Sequence, residues 1–169
     1  MKEPIRQRAM ELGFDDCRFA SAAAPDAARQ FQNWVAEGKF GEMAWMEKNA
    51  AKRMEPQKVL PDAKTAVCLA VSYDSGDKQQ EPGGKTFSGT IARYARFDDY
   101  HNVLGERLKL LAQFVNELGG GPTRSLWYVD TGPILERDFA QRAGIGFAGK
   151  HTNLISRKFG NWIFLAEIL

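Results

Sequence analysis

The residues of this chain best suited to chemistry lie between Trp127 and Asn153, in WYVDTGPILERDFAQRAGIGFAGKHTN. An apolar run, Leu126 to Val129, is short enough for a buried strand, and the acid Asp130 stands where it stops. Thr131-Gly132-Pro133 then turns the chain into a helical pattern that ends at Gly144. Gly144, Gly146 and Gly149 follow, closed by Lys150 and His151. From the residues alone two roles are open to Asp130. It, or Thr131, could cap the helix that Pro133 starts and complement the helix dipole. Equally, an acid at the carboxyl end of a strand sits where α/β folds place ligands, and could donate or take a proton.

The glycines match G-x-G-x-x-G and most of a P-loop, but both mechanisms need a strand before the glycines and a helix N-terminus after them. Here a helix precedes, a β-like run from Thr152 to Ser156 follows, and His151 stands where a P-loop needs Ser or Thr. The nucleotide readings are therefore set aside. What remains is a loop whose glycines let backbone approach a large or crowded ligand. A second group, Arg93, Tyr94, Arg96, Tyr100 and His101, mixes cations with flat rings beside a long polar stretch and suits phosphate or nucleobase contact. His101 by itself, at the start of an amphipathic helix, reads as a surface or capping residue. Arg157-Lys158 with Trp162 reads as a solvated hairpin turn.

The elements that must position these residues can be taken in order. Residues 3–12 are patterned as a helix ending at Gly13, and Phe14 to Ala20 as a strand. Pro25-Asp26 opens a second helix that places Phe31, Trp34 and Val35 on one face and ends at Gly38. Gly41 to Met46 is a helical turn whose Met and Trp read as core filler, and Lys52 to Pro56 breaks the pattern. Thr65 to Tyr73 is nearly continuous apolar, as a central strand covered on both faces should be. Residues 74–90 read as a long surface loop. Tyr100, Val103, Leu104, Leu108, Leu111, Phe114, Val115 and Leu118 recur at three- and four-residue steps, a helix capped by Asp98 or Asp99 and stopped by Gly119 to Pro122. Leu154 to Ser156 and Trp162 to Ile168 read as two strands joined by a hairpin-type turn. The result is a mixed α/β or α+β domain of about five strands and four or five helices.

A chain of 169 residues is one domain able to bury a core, and 44% hydrophobic with 26% charged residues is a globular balance. A formal charge of +2 is too mild to declare a nucleic-acid partner or to exclude one. Cys17 and Cys68, far apart in apolar runs, read as buried thiols in a reducing compartment, with neither disulfide framework nor zinc spacing. No stretch resembles a signal peptide or a membrane span, so a cytoplasmic location is expected. The last residues, Asn161 to Leu169, look like a strand in mid-course, as if a further domain followed.

Several motifs together resemble the epoxyqueuosine reductase family: Ala92-Arg-Tyr-Ala-Arg-Phe-Asp-Asp-Tyr-His101, Val129-Asp-Thr-Gly-Pro133, Ala143-Gly-Ile-Gly-Phe-Ala-Gly-Lys150 and Phe164-Leu-Ala-Glu-Ile168. Gly41 to Met46, Lys52 to Pro56 and Leu60 to Lys64 agree, so the likeness covers essentially the whole chain in order. The resemblance implies a cobalamin-dependent, iron–sulfur oxidoreductase that reduces the epoxide of epoxyqueuosine to queuosine in a tRNA anticodon. It implies an α+β, nitroreductase-like cobalamin-binding module, a mixed sheet with helices on both faces, spanning residues 1–169. A ferredoxin-like C-terminal part would carry the 4Fe-4S clusters. Asp130 would be the proton donor. Arg53, Ala92, Leu154 and Leu165 would contact cobalamin together with Asp130, and Arg137 would match an active-site arginine. No metal ligand is expected within the chain. The partners implied are tRNA with a queuosine-type anticodon and an unidentified electron donor, the protein acting as a monomer and not on a membrane.

Two departures stand out. Phe97 occupies the place where many relatives have glycine before Asp-Tyr-His, and the cysteine runs that hold clusters are missing, since Cys17 and Cys68 cannot supply them. The fragment alone is therefore expected to be inactive. The competing readings are a flavin-dependent nitroreductase-like oxidoreductase and a non-catalytic cobalamin- or tRNA-binding module.

Overall fold

The computed structural model describes residues 1–76, 89 and 91–169. The loop expected over 74–90 therefore lies, apart from 74–76 and 89, outside the described residues. In chain order the elements are α1 (Lys2–Glu11), β1 (Asp16–Ser21), α2 (Ala28–Ala36), α3 (Ala44–Lys48), α4 (Ala50–Met54), β2 (Thr65–Ser72), α5 (Tyr100–Gly119), β3 (Trp127–Tyr128), α6 (Glu136–Ala143), β4 (Gly146–Ala148), β5 (Leu154–Ser156) and β6 (Ile163–Ile168). Short 3₁₀ turns fall at Pro56–Lys58 and Arg93–Arg96.

β1, β2, β6 and β3 form one sheet in that order, and every pairing in it is antiparallel. A mixed sheet was expected, and the reason for the difference is topological. β2 and β3 do run the same way, joined by α5, but β6 slots between them antiparallel to both. β2 is central, as its apolar run predicts, and its alternation feeds two cores. Val67 and Leu69 face α1 and α5 with Cys17, Leu104, Leu108, Leu111 and Ile168. Ala66, Cys68 and Ala70 face α6 with Ile134, Phe139, Ala140 and Leu154. Helices thus cover both faces, as expected.

α5 buries Leu104, Leu108, Leu111 and Ala112 at helical spacing. Asp99, of the two candidate caps, accepts from the His101 backbone N–H at 2.9 Å. Other boundaries moved. The break expected over Lys52 to Pro56 falls at its far end: α4 continues to Met54, and Glu55 is extended before the Pro56 turn. α3 buries none of its residues and leaves Trp45 54% exposed, so this Trp is not core filler. The turn closing at Ser156 and Gly160 is present, but β5 pairs with β4 in a separate two-stranded sheet while β6 joins the main one. The expected β5–β6 hairpin does not form, because β6 is drawn between β2 and β3.

Candidate active site

The main sheet ends at Asp130, in a strained turn. Its φ is +58°, and the Thr131 N–H reaches back to the Val129 carbonyl at 2.5 Å. That two-residue closure with positive φ is the rarer hand of the γ-turn, held only where surroundings enforce it. The enforcing contacts are specific. A side chain at position 132 would collide with the Tyr128 ring, its Cβ 2.5 Å from Cγ, so the turn needs Gly132. Arg53, 8% exposed, reaches under the loop and donates through Nη1 to the carbonyls of Gly132 (2.7 Å) and Ile134 (3.3 Å). α6 starts at Glu136 without a side-chain cap. The capping role open to Asp130 is therefore not the one it has, since the three residues after Gly132 are not yet helical.

The Asp130 side chain is instead 66% exposed and held from the side. Tyr100 Oη donates to its Oδ2 at 2.9 Å, and His101 Nε2 lies 3.9 Å from the same oxygen. His101 Nδ1 meets Asp99 Oδ1 at 2.8 Å. Two bonds from His101, backbone first and ring second, hold the Asp99 carboxyl below its usual range, so an ionised Asp99 selects the tautomer with the proton on Nδ1. Burial, then the hydrogen bond to Asp130, pushes the Tyr100 hydroxyl up, which keeps it a donor. Its ring stacks on Phe164, centroids 4.1 Å apart and planes at 8°. The start of α5 and the strand β6 thus position one carboxylate between a phenol and an imidazole.

Behind Asp130 lies a second acidic group that the sequence motifs did not single out. Glu167 of β6 is wholly buried on the α6 face of the sheet, opposite Cys68 and Tyr128. Glu136 opens α6 and shares a face with the buried Phe139 and Ala140, so it meets Glu167. Burial, then the charge of Asp130, pushes the Glu136 carboxyl up to about 7, and burial with the Glu136 charge holds Glu167 well above the carboxylate range. A lone acid inside the apolar run 162–169 was the available signal for Glu167. Its pattern as a buried strand residue masked it.

The remaining expected positions divide. Asp130 and Arg53 come together at one loop. Arg137, exposed on α6, donates to the Thr152 carbonyl at 2.7 Å and ties the helix to the segment after β4. Leu154 is 4% exposed and packs in the same core as Leu165, beneath α6. Ala92 is exposed beside the 93–96 turn. Of the aromatic and basic group, Tyr100 and His101 turn to Asp130, whereas Arg93 pairs with Asp74 and lies over the Trp162 ring at 4.3 Å. The glycines serve the protein's own packing. Gly144, φ +86°, ends α6, and a Cβ at Gly146 would sit 2.3 Å from the Ile155 carbonyl across the β4–β5 pair. The loop leads into a strand, which removes the phosphate-loop readings structurally as well.

Comparison with known proteins gives consistent matches. The family described as "Epoxyqueuosine reductase QueG, DUF1730" matches residues 53–131. An epoxyqueuosine reductase of Gloeobacter violaceus is 41% identical over 167 residues, 98% of this chain and 50% of that protein. A crystal structure of epoxyqueuosine reductase with an epoxyqueuosine-modified tRNA-Tyr stem loop superposes with a TM-score of 0.84 at 31% identity, over 99% of this chain and 44% of that one. A Bacillus subtilis epoxyqueuosine reductase, solved with its aspartate catalytic loop swung out of the active site, gives a TM-score of 0.81 at 29% identity, over 99% and 44%. The chain spans about half the length of the curated relatives it matches.

Proposed function

The chain belongs to the epoxyqueuosine reductase family, and from that premise we propose that it is the N-terminal, catalytic half of an enzyme that reduces epoxyqueuosine to queuosine in tRNA. The observation that carries the proposal is the Asp130 turn, a solvent-facing carboxylate in a strained loop, gripped by Tyr100 and backed by Arg53. Strain of this kind, roughly 1–3 kcal/mol, persists where the surroundings over-determine it and is typical of functional loops.

In this proposal Asp130 is the proton donor. Opening an epoxide expels an alkoxide, a poor leaving group unless an acid supplies a proton as the bond breaks. Tyr100 Oη occupies Oδ2, which leaves Oδ1 to carry the proton outward. His101, oriented by Asp99, faces the same carboxyl and can return a proton to it from solvent. Tyr100, fixed on Phe164, keeps the carboxyl in place between turnovers.

The redox group we propose is cobalamin, which when bound supplies the electrons for breaking the carbon–oxygen bond. Asp130, Ala92 and Arg137 offer exposed positions to it, while Leu154 and Leu165 form the apolar layer beneath. Among the described residues Arg53 Nε is buried without a partner, a donor suited to an acceptor-bearing group such as cobalamin with its peripheral amides. The module is, on this reading, nitroreductase-like. The 4Fe-4S clusters are assigned to a separate ferredoxin-like part, because Cys17 and Cys68 project to opposite faces of the sheet. Burial also pushes both thiols up, Cys17 to about 12, against the thiolate that a cluster needs. The protein is proposed to act as a cytoplasmic monomer on tRNA. No helix among the described residues is long and apolar enough to cross a membrane.

The test is to titrate the whole protein with cobalamin while following absorbance, and then to supply a reductant and an epoxyqueuosine-modified stem loop. Cobalamin binding with conversion to queuosine is expected. Flavin binding in its place, or an unchanged stem loop, would overturn the proposal.

A further inference from the structure

Two carboxyls behind Asp130 have no part in the chemistry described so far, yet their surroundings are unusual. Among the described residues neither oxygen of Glu167 finds a hydrogen-bond donor, and Glu136 Oε1 is buried in the same condition. Glu167 lies on the α6 face of the sheet and Glu136 opens α6 on the face that packs there, so each carboxyl faces the other. Two carboxylates can share a hydrogen bond only if one of them carries a proton, because both are acceptors when ionised. A wholly buried, unpaired carboxylate is also far costlier than a neutral acid. The groups facing the pair come from every surrounding element: Asp130 from the β3–α6 loop, Arg53 from α4, Cys68 from β2, Tyr100 from α5 and Tyr128 from β3. Arg53, the cation acting on Glu136, already spends its Nη1 on Gly132 and Ile134. The Asp130 backbone N–H acts on the Glu136 carboxyl and favours its charged form, so the pair lies next to the turn that carries the acid.

We propose that Glu136 and Glu167 form a proton-holding pair that keeps a proton directly behind Asp130 and supplies the second of the two protons consumed when an epoxide oxygen leaves as water. The proposal rests on the epoxide-reduction reading given above. The balance requires two protons: both carbon–oxygen bonds break, a carbon–carbon double bond forms, and the oxygen leaves as water while two electrons enter from a low-potential reductant. Asp130, in the proposed reaction, delivers one proton. A second must reach the same place, and the buried pair is the store adjoining it. Glu136 and Glu167 are positioning and supply residues, since neither touches substrate.

The test uses the whole protein with carbon-13 in its glutamate carboxyls, followed by NMR against pH, beside single-turnover rates with the modified stem loop. Expected is one glutamate carboxyl still protonated at neutral pH and above, its signal lost in Glu167→Gln. That variant should turn over normally at acid pH, fall away as pH rises, and recover with a small buffer acid. Should it fail to fold, Glu136→Gln, at the outer end of the pair, is expected to show the same pH-dependent loss and rescue. Ordinary titration of every glutamate in the wild-type protein would overturn the proposal, as would a pH profile unmoved in both variants. Activity surviving in Asp130→Asn would instead sink Asp130 as donor of the first proton, and an unchanged stem loop with the wild-type protein would sink the epoxide-reduction reading, each leaving the carboxyl signal intact.

Discussion

The two faces of the central sheet are built from the same strands yet differ in kind. Toward α1 and α5 the residues are Ile5, Phe14, Val67, Leu69, Leu104, Leu108, Leu111 and Ile168, all apolar. Toward α6 the same strands present Cys68 and Glu167, and the loop above them is held by a buried arginine. One face is a store of stability. The other gives some of it up to hold charge and strain near Asp130, and that contrast is a reason to place the proposed chemistry there.

Substitutions should separate the faces, beginning with the largest effect. Leu108→Ala, at a fully buried position on the dry face, should cost about 2–5 kcal/mol in denaturant unfolding, while protein that remains folded keeps its turnover. Turnover lost in step with stability would break the distinction. Arg53→Met removes charged hydrogen bonds worth roughly 1.5–3 kcal/mol, and here activity should fall further than stability, because the Asp130 loop is released. Equal turnover per folded molecule would argue against Arg53 as the loop's support.

The acid pair gives a smaller, pH-dependent effect. Glu136 and Glu167 are raised acids, so the folded state binds protons that the unfolded chain has lost. The Glu136 contribution is complete below about 4.5 and declines as pH rises through about 7, and Glu167, held well above the carboxylate range, adds a decline of the same sign. Glu167→Gln should flatten that slope, measured as melting temperature against pH, whereas Leu108→Ala should shift the curve without flattening it. Smallest is Tyr100→Phe, which should cost about 0.5–1.5 kcal/mol of stability and slow turnover by loosening Asp130.

Much of the framework was legible in the sequence because it depends on local pattern. The α5 stripe and the β2 run declare themselves by period, and both faces of β2 are buried as its composition requires. Sheet order was not legible: that β6 inserts between β2 and β3 depends on pairing between segments about a hundred residues apart, which no local pattern encodes. The site was half visible. Asp130 at a strand end could be read, but its capping role could be dismissed only once α6 was seen to start at Glu136. Arg53 lies 77 positions from Asp130, and its two carbonyl partners become apparent only in three dimensions. Glu167 was hidden by its apolar neighbours, and the close contacts that Gly146 and Gly149 make with the protein's own residues appear only in three dimensions.

The central claim, that Asp130 carries the proton for epoxide opening, is tested most directly by Asp130→Asn in the whole protein. Asparagine keeps the size and can still accept from Tyr100, so cobalamin binding followed by absorbance should be largely unchanged. Conversion of the epoxyqueuosine stem loop should fall by about 10²–10⁴-fold or below detection. Conversion at the wild-type rate would contradict the account and leave Asp130 as a strained turn residue with no part in the chemistry.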